Sequence, residues 1–249
     1  MYARRGVFKR LQRAGACRKM VAIPMQQYTM PDWVKARILR RRPTLFAHQY
    51  IAAKKSALVV VDMQNYFVAP GQPNEVPAAR EIVGSINRLA ARMREAGSVV
   101  VWVQTSAARA LEQWGNHHRY HLSEAAVKRR LAGLAEGSEG FALYPGLDAR
   151  PDDVYVKKTT YSAMMRDSST LEEEIRRRGI ESLLIAGTAT NVCCESTARD
   201  AMLLDYRVIV LSDGTAAATL EEHVASLNTL ALFFADVMSV DEAAERLVS

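Results

Sequence analysis

From residue 57 onward, short apolar runs alternate with amphipathic stretches. Residues 57–61, 98–104, 154–156, 182–186, 207–211 and 236–239 are apolar and rich in Val, Ile and Leu, and each is bounded by polar or turn-forming positions. Runs of this kind read as strands buried on both faces. Between them, residues 77–96 place Ile82, Val83, Ile86, Leu89, Ala90 and Met93 at helical spacing, and Gly97 follows as a C-cap. Residues 170–178 (stopped by Gly179), 193–205 and 220–235 read as further helices. Strands separated by helices require right-handed parallel crossovers. The expected fold class is therefore α/β, a doubly wound, mostly parallel sheet covered on both faces. No G-x-G-x-x-G follows a strand, which disfavours a Rossmann-type dinucleotide site.

The stretch 105–153 breaks this rhythm. It is polar, rich in His and Gly, and holds one expected helix near 123–136. With Trp114 and Tyr120 it reads as part of a lid over a crevice.

Composition narrows the class. The 249 residues suit one well-cored α/β domain, and no apolar run approaches the roughly 20 residues that span a bilayer. Of three cysteines two are adjacent, so no disulfide framework is expected and a reducing cytoplasm is the natural setting. The net charge of +6 is misleading. Residues 1–43 hold twelve Lys/Arg and one acid, while the remainder, with 21 basic and 26 acidic residues, is net negative. Residues 1–22 read as a basic tail, either disordered or an upstream extension with initiation at Met20, Met25 or Met30. They lack the apolar core of a secretory signal. A nucleic-acid role for this tail is disfavoured. Residues 23–55 read as an arm with one short helix, because Pro31 and Asp32 suit a first turn and Arg40, Arg41 and Arg42 suit an end. Residues 56–249 form the expected main domain.

Three chemically complementary groups fall at or just beyond the carboxyl ends of different strands: Asp62 after 57–61, Lys157 and Lys158 after 154–156, and Cys193 shortly after 182–186. In open parallel sheets those ends line the ligand crevice. A thiol at the mouth of a helix meets unpaired amide N–H groups that favour the thiolate and offer donors to an oxyanion. Each residue alone has an ordinary reading: an Asp capping a turn, a solvated Lys, a buried Cys. Lys157 and Lys158 point to opposite faces of an extended segment, so only one can enter the crevice. Cys193 and Cys194 are likewise rotated by about 100° if both begin a helix.

The segments Val60-Val61-Asp62-Met63-Gln64-Asn65, Lys158-Thr159-Thr160-Tyr161-Ser162 and 187–200 (GTATNVCCESTARD) occur in that order. On these residues the chain from about Ser56 onward resembles the isochorismatase-like cysteine hydrolases. The segment around Cys193 looks most like that of the ureidoacrylate and related carbamoyl-amide amidohydrolases. The resemblance implies a three-layer α/β/α architecture with a six-stranded sheet and a catalytic triad of Asp62, Lys158 and Cys193. It implies an oxyanion hole from the backbone N–H groups of Ala189 and Cys193, beside a cis bond between Thr188 and Ala189. It also implies a homo-oligomer, dimer or tetramer. Cys194 is then assigned to packing, and the spacing to Tyr161-Ser162 favours Lys158 over Lys157.

The implied activity is metal-independent hydrolysis of a C–N bond in a small linear amide or ureido/carbamoyl compound through a thioester, without cofactor or membrane. The five histidines of residues 23–249 show no Asp-x-His metal arrangement. Asn65, Gln104, Tyr161 and Trp114 are candidate substrate contacts, with Trp102 beside them. For Asn65 and Tyr161 a satisfied turn residue or a core aromatic is the alternative. Two other functions stay open. One is vinyl-ether hydrolysis, whose practitioners in the resembling family lack the cysteine; the other is a non-enzymatic binding or redox-sensing role.

Overall fold

The computed structural model describes residues 27–249; the basic tail expected at 1–22 lies outside them. Pro31 caps α1 (Asp32–Leu39), with Asp32 in its first turn and Arg37 in its last. Two residues, β1 (Ile51–Ala52), then lead into β2 (Ser56–Val61). Beyond it come α2 (Asn65–Val68), α3 (Val83–Glu95), β3 (Val99–Thr105), α4 (Ala110–Gln113), α5 (Glu124–Gly133), β4 (Val154–Lys158) and α6 (Leu171–Arg177). The second half holds β5 (Ser182–Thr188), α7 (Glu195–Leu203), β6 (Arg207–Ala216), α8 (Leu220–Phe233), β7 (Asp236–Met238), α9 (Val240–Glu245) and β8 (Leu247–Val248).

The main sheet is six-stranded, in the order β4-β3-β2-β5-β6-β7, with every pairing parallel. The short β1 and β8 pair separately. Strand β2 shows why the fold has three layers. Its Ala57, Val59 and Val61 enter one core with Leu171 and Ile175 of α6, Ala198 of α7 and Leu227 and Leu230 of α8. Its Leu58 and Val60 enter the other, with Ile86, Leu89 and Met93 of α3 and Val240 of α9. Alternate side chains of an extended strand face opposite ways, so an uninterrupted apolar run needs cover on both sides.

Several boundaries differ from the sequence reading. The stripe at 77–96 is two elements, because Pro77 opens a separate 3₁₀ turn, Pro77–Arg80, before the chain re-enters helix at Val83. The strand read at 207–211 continues to Ala216. The helix read from residue 193 is preceded by a wide π-helical turn, Thr190–Cys194, so Cys193 lies inside that turn and not at a regular helix start. The stretch 105–153 contains α4 and a π-helical turn, His117–His121, as well as α5.

The strand order reverses between β2 and β5, which places a topological switch point at the carboxyl ends of those two strands. There β5 comes very close to β2. A Cβ added at Gly187 would fall 2.0 Å from the carbonyl oxygen of Val61, and Gly187 has φ +112°. Only glycine fits both conditions. Gly187→Ala is therefore expected to destabilise the chain by at least about 3 kcal/mol, through overpacking and an unfavourable φ together. Denaturant unfolding checks this, and a loss under 1 kcal/mol, within the range of roughly neutral surface changes, would contradict it.

Candidate active site

Asp62 follows β2 with φ +52°, a left-handed residue that ends the strand and turns its side chain along the sheet edge. Short polar Asp tolerates this conformation better than most residues. Its N–H donates to Val103 O at 2.9 Å, which ties the turn to β3. Lys158 ends β4, two strands from β2. Two inter-strand spacings amount to roughly 9.6 Å, a gap that calls for a side chain as long as lysine. Lys157, next to it, faces outward and pairs with Glu136 at 2.6 Å. The alternation of an extended strand thus sends one lysine into the crevice and the other to the surface.

The three groups meet. Lys158 Nζ lies 2.8 Å from Asp62 Oδ2 and 3.4 Å from Cys193 Sγ. Asp62, Lys158 and Cys193 are 0, 1 and 8 % exposed. Lys158 Nζ also donates to Thr105 Oγ1 at 2.7 Å and to Thr160 O at 3.1 Å, and Thr105 Oγ1 in turn donates to Asp62 Oδ1 at 2.8 Å. Thr105 ends β3, the strand between the acid and the base, and stands in register with Lys158. It escaped the sequence reading, although its place at the carboxyl end of a strand was a usable signal. Asp62 Oδ2 makes a charge contact with Lys158 but has no aligned hydrogen-bond donor. It keeps a lone pair for a proton.

The electrostatics correct one expectation. Helix mouth and lysine were expected to favour the thiolate. Burial and the facing Asp62 carboxylate instead push the Cys193 thiol up to about 12, with Lys158 opposing them. Burial also disfavours the Lys158 charge, but Asp62 and the Cys193 sulfur outweigh it and raise its pKa. Lys158 thus rests as an ammonium and Cys193 as a thiol, and such a thiol needs a base to become a nucleophile. Cys194 turns the other way, its sulfur 3.8 Å from Ala186 O and wholly buried in the core.

The Thr188–Ala189 peptide bond is cis. Immediately after it, Ala189 O accepts from Val192 N at 3.1 Å and Cys194 N at 3.2 Å, which folds the turn that holds Cys193 back on the strand end.

The remaining candidates divide. Tyr161 and Trp114 stand together at the site: their rings meet edge to face at 4.6 Å, and Trp114 stacks on His117 at 3.9 Å. Burial raises the Tyr161 pKa. Asn65 and Gln104 are fasteners. Asn65 Nδ2 donates to Glu139 O and Gln104 Nε2 to Phe141 O, each at 2.9 Å. Gln64, also missed from sequence, is fully buried and holds both Phe141 O and the backbone of Thr105. These amides clamp the segment 139–143 across the strand ends, and the satisfied-turn reading of Asn65 is the one the bonds describe. Trp102 points away from the crevice, into the α3 layer, and donates to Asp153 at 2.8 Å. Among the described residues, no three His, Cys, Asp or Glu side chains converge as metal ligands.

A doubly wound α/β sheet that delivers carboxylate, ammonium and thiol to its switch point defines a cysteine hydrolase in architecture and in chemistry. The model of the isochorismatase domain matches residues 56–242, and the chain belongs to that family. It is 34% identical over 229 residues to the ureidoacrylate amidohydrolase RutB of Variovorax paradoxus (strain S110), covering 86% of this chain and 88% of that one. The corresponding RutB of Pseudomonas savastanoi pv. phaseolicola is 34% identical over 227 residues, with 86% and 91% covered. Among solved structures, a cysteine hydrolase from Pseudomonas syringae pv. phaseolicola 1448A superposes with TM-score 0.67 at 28% identity, covering 79% of this chain and 93% of that one. N-carbamoylsarcosine amidase from Thermoplasma acidophilum gives 0.55 at 25% identity, covering 75% and 97%.

The direction of the thiol shift yields a test. Asp62→Asn removes the proton acceptor and should lower kcat/KM at least about 10²-fold. The same change removes a negative charge facing the sulfur, so the Cys193 pKa should fall and alkylation by iodoacetamide near about pH 8 should quicken. Alkylation rates measured against pH in both proteins check this, and slower alkylation in the variant would contradict it.

Proposed function

We propose that this chain is a metal-independent cysteine amidohydrolase that cleaves the C–N bond of a small linear ureido or carbamoyl compound. One observation carries the reading: a single buried ammonium, Lys158 Nζ, touches both the Asp62 carboxylate and the Cys193 sulfur. Asp62 takes the thiol proton as the sulfur attacks the carbonyl carbon. The oxyanion is received by the backbone N–H groups of Ala189 and Cys193, and the proton then passes from Asp62 to the departing nitrogen. Water hydrolyses the resulting thioester, an S-carbamoyl thioester when the substrate is a ureido compound, and the thiol is restored. Lys158 stays charged throughout.

The ureido or carbamoyl class is supported by the names of the relatives. An acidic group on the substrate is supported by the charge at the lid. The inner face of α5 is marked by Gly133, where a Cβ would meet the Tyr66 ring at 2.5 Å. Arg130 stands one turn earlier on that face, half-buried and without an ion pair among the described residues. Its charge reaches Tyr161, His117 and Tyr66. A guanidinium so placed suits a carboxylate on the amide's distal end.

The vinyl-ether alternative has no use for the thiol, and a redox sensor calls for an exposed thiol of low pKa, whereas Cys193 is buried and its pKa is raised. Ammonia release should be measured across ureidoacrylate, N-carbamoyl amino acids, biuret, maleamate and nicotinamide. Linear carbamoyl acids are expected to lead, and Cys193→Ala to reduce turnover to the uncatalysed rate. Turnover surviving in Cys193→Ala would reject the mechanism. Arg130→Ala should raise KM about tenfold for acidic substrates only, roughly the weight of one charged hydrogen bond; an equal change for neutral amides would remove Arg130 from recognition.

A further inference from the structure

His223, on α8, is fully buried, and no step of the proposed reaction uses it. Both ring nitrogens are occupied. Nε2 lies 3.1 Å from Ser212 O, on β6, and Nδ1 lies 2.9 Å from Thr190 Oγ1. A carbonyl oxygen only accepts, so Nε2 carries the ring proton and Nδ1 presents a bare lone pair. The Thr190 hydroxyl must therefore be the donor to Nδ1. Thr190 is the first residue of the wide turn that holds Cys193, directly after the cis bond and Ala189. A second α8 residue one turn on, Ser226, donates to the carboxylate of Glu195, the first residue of α7, and its hydroxyl also lies 3.3 Å from Thr190 O.

We infer that His223 is a positioning residue for the nucleophile: the chain Ser212 O, His223, Thr190 Oγ1 fixes the turn Thr190–Cys194 so that Cys193 Sγ and the neighbouring backbone N–H groups face one point. This rests on Cys193 being the nucleophile. The geometry favours alignment over mere packing. The ring spans from β6 to the turn, and neither contact is local in sequence. The wide turn lacks the regular bonding of an α-helical first turn, so its shape depends on outside partners. Small displacements at a reacting centre weigh heavily on turnover, with about 1 Å able to cost 10²-fold.

The test separates the two halves of the link. Thr190→Val keeps the shape and removes the donor, while Thr190→Ser keeps the hydroxyl. His223→Asn retains an acceptor near the place of Nδ1, whereas His223→Gln retains a donor near the place of Nε2 and loses the acceptor. On the best substrate found in the amide screen, Thr190→Val and His223→Gln should each lower kcat about tenfold with KM within about twofold. Thr190→Ser and His223→Asn should keep most of it. The Thr190→Val/His223→Gln double variant should be no worse than either single one, because both break the same link.

Stoichiometric alkylation of Cys193 and the thermal midpoint should be followed in parallel, since a purely structural role would shift the midpoint and leave kcat of the folded protein unchanged. Full kcat in folded Thr190→Val, or losses that multiply in the double variant, would overturn the inference. If the His223 variants fail to fold, the Thr190→Val and Thr190→Ser pair still decides it. Failure of the nucleophile assignment itself would show separately, as turnover persisting in Cys193→Ala.

Discussion

A single cation organises this molecule's reactive end. The Lys158 ammonium is almost wholly out of water, and a buried charge of this kind is tolerated only when paired and fully hydrogen-bonded. Its three N–H donors go to Thr105 Oγ1, Thr160 O and Cys193 Sγ, while the Asp62 carboxylate lies beside it as a charge contact at 2.8 Å. In the proposed reaction the thiol proton moves to Asp62, the carboxylate loses its charge and the sulfur gains one. The lysine then has only to shift its weight from oxygen to sulfur. No net charge enters or leaves the buried site, so the proton can cross without reorganising water.

That arrangement explains features which look unrelated along the chain. The acid and the thiol come from neighbouring strands at the switch point, where Gly187 lets β5 lie against the end of β2. The cation comes from two strands away and must cross β3, which supplies Thr105 midway as acceptor to the lysine and donor to the acid. Gln64, Asn65 and Gln104 strap the segment 139–143 over the same strand ends. The Asp62 and Lys158 charges beneath are out of contact with solvent, which strengthens their attraction.

Much of this was legible in the residues. The double-faced sheet shows in runs such as Leu58-Val59-Val60-Val61, and the opposed directions of Lys157 and Lys158 follow from strand periodicity. Other parts were not. Thr105 is an unremarkable threonine at a strand end, and only the register of β3 with β4 makes it a bridge. The fastening roles of Asn65 and Gln104 depend on where residues 139–142 return in space, which no local pattern states. The thiol's pKa was read in the wrong direction because sequence names the neighbours of Cys193 but not their depth. With desolvation dominant, Asp62 and burial together outweigh the lysine. The split of 77–96 and the wide turn at Thr190–Cys194 are backbone choices that apolar spacing does not distinguish from regular helix.

Helix α8 has two working sides. Its inner side offers His223 and Ser226 to the turn of the nucleophile. Another side packs against α1, and Tyr28, just ahead of α1, bonds Asn228 at 3.0 Å. Yet α1 lies ahead of residues 56–242, the span that the family model matches. Cutting the chain back to that span would leave the family signature complete and strip the backing from the very helix that steadies the sulfur, so damage would reach the reactive centre from behind.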